Sequence, residues 1–298
     1  MKFKARYTNL CNLSFPSGEN STVRSITMNN DIHTIEKLLN MVHKYTGITM
    51  TINKQTLLEG RLRARLKTLN LINLEEYLIY LESHKNEIQE FVNLVTTNET
   101  SFFRTQRIWS FFYEEFLTSW YNINKKNILK IWSAAVSSGE EIYSIAMMCE
   151  EFKQKNSDFN YQIIGTDISQ NVINKAIKGE YSGRTIEIFK KNNPLFFEKY
   201  MQEFNGIYKV IPVLKQKIQF SLHNLFQLPI QQSYFNIVFL RNVLIYFNTA
   251  DQEKVLMNVS KSLLDNSILI IGESESLNSL NIPFQYKLPF IYDFKKVV

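Results

Sequence analysis

The sequence is poor in cysteine, glycine and proline, and it has no long apolar run. Its 298 residues include two cysteines, nine glycines and six prolines. Because Cys11 and Cys149 lie far apart, we expect neither a disulfide framework nor a zinc site, as is usual in a reducing compartment. The histidines have no ligand-like spacing either, so no metal is expected. We interpret the scarcity of glycine and proline as a compositional bias without functional meaning.

The sequence also lacks the marks of membrane insertion or secretion. No apolar stretch approaches the roughly 18–20 residues that are needed to cross a bilayer. The N-terminus contains basic residues but no hydrophobic segment followed by a cleavage site. We therefore expect a cytoplasmic protein without membrane insertion.

Apolar and charged residues are present in ordinary amounts, 45% and 21% of the chain, which excludes a wholly disordered or fibrous protein. The positive excess is small, because 34 lysines and arginines stand against 28 aspartates and glutamates. A net charge of +6 favours an acidic partner without identifying it.

The hydrophobic pattern changes twice along the chain. Residues 1–30 are polar and aperiodic, which indicates an N-terminal extension. Residues 31–96 have apolar residues at helical spacing, starting with Ile35, Leu38 and Val42, and they predict a small all-helical domain. Within it, helices are predicted over Lys54–Leu69, Leu74–Glu82 and Ile88–Val95.

Residues 97–298 predict an α/β domain. Its short apolar runs alternate with helix-like stretches, and the runs are Asn127–Ser133, Tyr161–Thr166, Ile218–Leu222, Phe235–Leu240 and Ser267–Gly272. This alternation is typical of βαβ units and a parallel sheet. A helix is predicted near Asp251–Leu264 and a hairpin at Phe284–Phe294. An insertion at 181–216 interrupts the alternation, and Ile207–Leu214 within it predicts a strand.

The turn after the first predicted strand indicates the kind of ligand. It reads Ser133–Gly139 (SAAVSSG), leads into Glu140 and Glu141, and lacks both a dinucleotide glycine series and a P-loop lysine. Two carboxylates in the first turn of a helix repel phosphate, so the pattern favours a cationic, donor-rich ligand such as S-adenosylmethionine. Asp167, just past the second strand, can accept hydrogen bonds from two ribose hydroxyls. Alternatively, the glutamates stabilise a helix start and Asp167 caps the next helix.

Four motifs resemble those of the CheR-type chemotaxis receptor methyltransferases. They are Thr97–Arg104 (TNETSFFR), Ile131–Glu141 (IWSAAVSSGEE), Arg241–Phe247 (RNVLIYF) and Gly272–Leu277 (GESESL). Their order and spacing are kept, and the similarity runs from about Ile35 to the C-terminus. It implies a Rossmann-like class I methyltransferase sheet at 97–298, with a small β sub-domain inserted at 181–216. The all-α domain at 31–96 would precede it.

The resemblance implies an S-adenosylmethionine-dependent protein-glutamate O-methyltransferase that modifies the cytoplasmic helices of chemoreceptors, and we expect it to act as a monomer. Implied cofactor contacts are Asn98, Thr100, Arg104, Glu141, Asp167, Asn224, Leu225, Arg241 and Asn242. Arg104 and Tyr246 would lie beside the transferring methyl group. The alternatives are a methyltransferase that acts on RNA or a small molecule, and a non-catalytic receptor-binding homologue.

The expected chemistry needs orientation and no proton transfer. A glutamate side chain has an ordinary pKa near 4.3, so it is already an ionised nucleophile at neutral pH. Arg104 can hold this carboxylate, because guanidinium matches carboxylate geometry. The Tyr246 hydroxyl can orient one of its oxygens. Each residue also has an ordinary alternative, a surface ion pair for Arg104 and a core aromatic for Tyr246.

A basic stretch in the second predicted helix indicates where an acidic partner docks. The residues are Arg61, Arg63, Arg65 and Lys67, and they flank a leucine stripe. The alternative is a solvated helix face. Nucleic acid is a less suitable partner, because the cluster is small and lacks interleaved aromatic residues.

The inserted segment and two departures from the family pattern lead to further expectations. Family members that bind a receptor's C-terminal peptide tend to have a longer glycine-rich loop than Met201–Gly206, so we predict that methylation is independent of that peptide. Asn236 stands where aspartate is common. Glu273 stands where histidine is common, and it adds a negative charge near the end of the fifth strand of the doubly wound sheet.

Overall fold

A computed structural model describes residues 20–295 of the chain. The predicted extension covers residues 1–30. Residues 1–19, which include Cys11, lie outside the described residues. The first helix begins at Asn20. Within the described part, no helix combines the length and the apolar character that a membrane span requires.

Within the described residues, the N-terminal part contains a short 3₁₀ turn (Ile52–Lys54) and four α-helices. The helices are α1 (Asn20–Thr46), α2 (Gln55–Leu69), α3 (Leu74–Ser83) and α4 (Glu87–Val95). The helices predicted at the positions of α2, α3 and α4 are confirmed to within one residue at each end. At the start of α3 the Asn73 side chain accepts a hydrogen bond from the backbone N–H of Glu76, which satisfies one of the free donors of the first turn.

A helical segment that was not predicted connects this part to the sheet. It consists of α5 (Gln106–Ser110), a π-helical stretch (Phe111–Leu117) and α6 (Thr118–Ile123). Its aromatic side chains are buried against the sheet, and the ring of Phe112 meets that of Phe239 edge to face at 5.4 Å. The segment's buried residues Ile108, Phe112 and Phe116 recur every four residues, while Glu114 and Glu115 are exposed. The helical spacing was therefore present in the sequence, and the prediction overlooked it.

The strands of the described chain form one large sheet and one small sheet. The large sheet contains β1 (Ile128–Ala134), β2 (Asn160–Asp167), β6 (Ile218–Leu222), β7 (Phe235–Leu240), β8 (Leu263–Ile271), β9 (Phe284–Leu288) and β10 (Ile291–Phe294). Its order is β6-β2-β1-β7-β8-β10-β9, and β10 is antiparallel to both neighbours. This mostly parallel sheet confirms the predicted α/β class. The strand order reverses between β1 and β7, which opens a crevice at their carboxyl ends.

Helices on both faces cover the large sheet. After β1 comes α7 (Glu140–Lys155), after β2 comes α8 (Gln170–Lys178), and after β7 comes α12 (Thr249–Ser260). The predicted helix Asp251–Leu264 was too long, because Leu263 and Leu264 already belong to β8. Both residues are apolar and continue the helical spacing, so periodicity alone could not separate them from α12.

The insertion carries its own small sheet of order β3-β5-β4. Its elements are β3 (Glu180–Tyr181), α9 (Arg184–Asn192), α10 (Pro194–Tyr200), β4 (Met201–Phe204), β5 (Ile207–Val210) and α11 (Pro212–Lys215). The strand predicted at Ile207–Leu214 was wrong beyond Val210, because Pro212 has no N–H for the ladder and begins α11. A two-residue turn, Asn205-Gly206, joins β4 to β5 with both φ angles positive.

The N-terminal helices and one face of the large sheet share a single hydrophobic core. Leu38 and Leu62 belong to the same buried cluster as Trp132 and Val238. At the end of α1, Gly47 lies directly against the ring of Phe226. The helical part is therefore fixed on the sheet, next to the carboxyl ends of its strands.

Gly47→Ala is expected to destabilise the protein by at least about 2 kcal/mol. Gly47 has a φ of +73°, and an added Cβ would lie 1.9 Å from the nearest ring atom of Phe226. The matched control is Gly60→Ala inside α2, where an added Cβ meets no atom within 4 Å and should stabilise the helix. Urea unfolding of both variants measures the difference, and equal stability would contradict this packing.

Candidate active site

A pocket lies at the carboxyl ends of β1, β2 and β7, under the link between α4 and α5. All ten residues predicted as cofactor-binding or catalytic line it: Asn98, Thr100, Arg104, Glu141, Asp167, Asn224, Leu225, Arg241, Asn242 and Tyr246. They come from five separate chain segments that the topology brings together at one edge of the sheet. Thr46 and Ile48, at the end of α1, complete the wall.

The turn after β1 takes up a backbone conformation that usually requires glycine. Ala135 and Ser137 have φ angles of 76° and 51°, and Gly139 has a φ of 101°. Hydrogen bonds hold this turn in place: the backbone N–H of Ser137 donates to Asp167 Oδ2 (2.9 Å), and its hydroxyl donates to the carbonyl of Asn98 (2.8 Å). Such strain persists where surrounding contacts fix it, as at a binding site.

Asp167 ends β2 with a buried carboxylate that faces the pocket. Its Oδ1 accepts the backbone N–H of Ser169 (3.0 Å), so each oxygen accepts one backbone donor and keeps a further lone pair. Burial raises the pKa of this carboxyl, and the backbone hydrogen bonds oppose the rise. Two adjacent acceptors of this kind match the two hydroxyls of a ribose.

The two glutamates at the start of α7 have different environments. Glu141 lines the pocket, where its Oε1 accepts the Ser133 hydroxyl (2.9 Å) and its Oε2 accepts Arg241 Nη1 (2.9 Å). Glu140 lies outside the pocket lining, is buried and accepts the Ser138 hydroxyl (2.7 Å). Burial raises the pKa of Glu140. Glu140 therefore fits the structural alternative, and the ion pair with Arg241 offsets the charge of Glu141, so the two glutamates do not by themselves favour a cationic ligand.

Arg241 is buried, and it shapes the site through hydrogen bonds to the protein. Besides Glu141, its guanidinium donates from Nη2 to the carbonyl of Arg104 (2.9 Å) and to Thr105 Oγ1 (3.1 Å). Its Nε is buried without a partner among the described residues. Arg241 thus holds the segment that carries Arg104, a role that sequence reasoning missed because these contacts span more than 130 residues.

Arg104 and Tyr246 present free polar ends to the pocket. The backbone of Arg104 is fixed by Trp109 Nε1 (2.9 Å) and by Arg241, and its neighbours Phe103 and Thr105 both have positive φ angles. Tyr246 ends a 3₁₀ turn, Leu244–Tyr246, and its carbonyl accepts the N–H of Thr49 (2.9 Å). In the described part of the chain, neither the Arg104 guanidinium nor the Tyr246 hydroxyl has a hydrogen-bond partner.

Two of the four predicted docking residues have partners within the chain. Arg61 donates to the carbonyl of Val95 and to Thr97 Oγ1, and burial lowers its pKa. Arg65 donates to both oxygens of Glu87 (2.9 and 2.5 Å), and Glu87 also accepts the Tyr77 hydroxyl. These arginines bind α2 to α4 and to the pocket rim.

The other two docking residues, Arg63 and Lys67, are exposed on α2. The helical wheel placed all four basic residues around the leucine stripe, but it could not show which side α4 covers. None of the four lines the pocket.

Three further residues qualify the sequence analysis. His223, next to Asn224, lines the pocket, and burial lowers its pKa. Glu273 is exposed and outside the pocket lining, so its charge does not reach the site directly. Asn236 accepts the N–H of Lys130 (3.0 Å) within the sheet and is a structural residue.

Comparison with known proteins gives two family matches. Residues 33–96 match the model described as "CheR methyltransferase, all-alpha domain", and residues 98–288 match "CheR methyltransferase, SAM binding domain". The chain is 32% identical over 268 residues to the chemotaxis protein methyltransferase of Borreliella burgdorferi, covering 87% of this chain and 93% of that protein. It is 31% identical to chemotaxis protein methyltransferase 1 of Pseudomonas aeruginosa, covering 83% and 90%. The Salmonella typhimurium chemotaxis protein methyltransferase is 29% identical, with 95% and 98% covered.

Proposed function

Since the chain belongs to the CheR methyltransferase family, whose SAM-binding domain it contains, we propose that it methyl-esterifies glutamate side chains of chemoreceptors. The substrates would be the cytoplasmic receptor helices, which places the enzyme in the cytoplasm. The observation that carries the proposal is the unpaired Arg104 guanidinium in a pocket that also contains Asp167 and Glu141.

The residues of the pocket fit S-adenosylmethionine. Asp167 would accept the ribose hydroxyls and would place an unpaired carboxylate near the positively charged ligand, while Glu141, whose charge Arg241 offsets, would accept further hydrogen bonds from the ligand. Leu225 and Val136 offer apolar contacts for an adenine ring, and no lysine lines the pocket in the described chain. Asn98, Thr100 and Asn242 supply side-chain donors and acceptors for the remaining polar groups.

The chemistry then depends on orientation. When bound, the cofactor supplies an electrophilic methyl group on a sulfonium. Arg104 would bind the incoming carboxylate through paired N–H donors, and Tyr246 would direct one oxygen by a hydrogen bond from its hydroxyl. Because the carboxylate is ionised before it arrives, no residue of the chain has to remove a proton. Holding the reacting groups in line lowers the activation free energy relative to a free encounter, by on the order of 5 kcal/mol or more.

The test of this proposal is methyl transfer from labelled S-adenosylmethionine to receptor cytoplasmic fragments. The expected product is a base-labile ester, and total RNA and a small-molecule extract should remain unlabelled. Label in RNA or in small molecules would favour the alternative substrate class. Calorimetry without any heat of S-adenosylhomocysteine binding would favour a non-catalytic homologue.

The exposed basic residues of α2 should affect receptor docking and leave cofactor binding unchanged. Reversing both charges with Arg63→Glu and Lys67→Glu is expected to raise KM for receptor fragments about tenfold at low salt. The effect should shrink at higher ionic strength because these charges are solvent-exposed. The matched control reverses two other exposed lysines, Lys125 and Lys261, at the opposite end of the sheet. Equal KM values for the two double variants would exclude this docking surface.

A further inference from the structure

A buried carboxylate next to the pocket has no assigned role. Glu275 follows β8, is 8% exposed and lies two residues beyond the exposed Glu273. Burial raises the pKa of Glu275, while backbone hydrogen bonds oppose the rise. Burying a carboxylate without an opposite charge is unfavourable unless hydrogen bonds to its oxygens offset the lost hydration.

The partners of Glu275 are backbone N–H groups. Its Oε2 accepts from Gly272 (2.6 Å) and Asn242 (3.0 Å). Its Oε1 accepts from Leu244 (2.7 Å) and, at a longer distance, Ile245 (3.4 Å). Three of these four donors belong to the segment that leaves β7 and carries three predicted site residues, Arg241, Asn242 and Tyr246.

This segment depends on the carboxylate because its backbone is irregular. Asn242 has a φ of 58°, and the 3₁₀ turn Leu244–Tyr246 follows two residues later. In these conformations the N–H groups of Asn242 and Leu244 donate to Glu275 and not to a neighbouring strand. Without Glu275 these donors would be left unsatisfied in a partly buried position, at a cost for each donor.

The end of β8 also approaches the same segment closely. A Cβ on Gly272 would lie 2.6 Å from Asn242 Nδ2 and 2.8 Å from its backbone nitrogen. The GESESL motif therefore works as a unit: its glycine allows the approach, and its second glutamate holds the backbone. The first glutamate, Glu273, is exposed to solvent.

We infer that Glu275 is a positioning residue for methyl transfer, which fixes the 242–245 backbone and so sets the orientation of Tyr246 at the pocket. This inference rests on the proposed function. An amide cannot replace the carboxylate, because one end of a glutamine would turn an NH₂ group towards backbone donors. A misplacement of about 1 Å at a reacting centre can lower the rate about 100-fold.

The test compares kcat in five proteins: wild type, Glu275→Gln, Tyr246→Phe, the double variant of these two changes, and the control Glu273→Gln. Glu275→Gln is expected to lower kcat about 10–100-fold, while Glu273→Gln, the same change on an exposed neighbour, leaves it unchanged. In the Tyr246→Phe background, Glu275→Gln should lower kcat less than about threefold, because the hydroxyl that it orients is already absent.

Two outcomes would overturn the inference. One is wild-type kcat in Glu275→Gln, and the other is the same fold-loss in both backgrounds, which would indicate a structural effect alone. If Glu275→Gln does not fold, Glu275→Asp takes its place in the cycle, since it keeps both oxygens at a shorter reach. If the wild type does not methylate receptor fragments at all, the proposed function itself fails, which is a different result.

Discussion

Arg104→Ala is expected to reduce methyl transfer to receptor fragments by about 1000-fold or more. The variant loses the guanidinium that binds the incoming carboxylate, and with it the alignment of nucleophile and methyl group. The fold should be retained, because the hydrogen bonds from Trp109 and Arg241 go to the backbone carbonyl of Arg104, which alanine keeps. Single-turnover rates with labelled cofactor, together with a circular dichroism spectrum, measure both effects.

The matched control for this variant is Arg107→Ala. Arg107 lies three residues further on, is exposed on α5 and is not part of the pocket lining. The Arg107→Ala variant should transfer methyl groups at the wild-type rate. A folded Arg104→Ala variant with wild-type turnover would remove the orientation mechanism from the account.

Asp167→Asn is expected to weaken S-adenosylhomocysteine binding about 100-fold. The change removes one of two acceptors at the end of β2, and each lost hydrogen bond from a charged group costs about 1.5–3 kcal/mol. The backbone donor of Ser137 or Ser169 would also face an NH₂ group in place of an oxygen. The turn after β1 would then lose part of its support. Titration calorimetry gives the affinity directly.

Asp158→Asn provides the control for the same substitution at the other end of β2. Asp158 is exposed, precedes the strand and accepts only the Tyr121 hydroxyl among the hydrogen bonds of the described chain. The Asp158→Asn variant should bind S-adenosylhomocysteine with the affinity of the wild type. An Asp167→Asn variant with unchanged affinity would show that the ribose is held elsewhere.

The elements with clear boundaries were predictable from the sequence. β6 and β7 match the predicted ranges residue for residue, because β6 alternates apolar and polar residues, β7 is mostly apolar, and polar residues follow both. The errors occur where two patterns run into each other, as at the end of α12, where Leu263 and Leu264 extend the helical spacing into β8. The connection through Phe111–Leu117 was overlooked although its exposed Glu114 and Glu115 alternate with buried aromatic residues at helical spacing.

The lining of the pocket was predictable from motif resemblance, whereas its supporting contacts were not. Two motifs identified Arg104 and Tyr246, the position after the second predicted strand identified Asp167, and all three residues line the same pocket. The hydrogen bonds of Arg241 to the Arg104 segment and of Glu275 to the 242–245 backbone cross long stretches of chain. Spacing patterns along the sequence relate only residues that are close in the chain, so they cannot predict these hydrogen bonds. Likewise, only the packing of α4 showed that Arg65 is bound to Glu87.

The most direct test is to locate the methyl group on the acceptor protein. Receptor cytoplasmic fragments are incubated with the enzyme and S-adenosylmethionine, digested and sequenced by mass spectrometry, beside fragments in which the acceptor glutamates are changed to glutamine. We predict one added methyl group on individual glutamate side chains, lost in mild base and absent from the glutamine fragments. Methylation of lysine, arginine or a chain terminus, or none on any glutamate, would contradict the account.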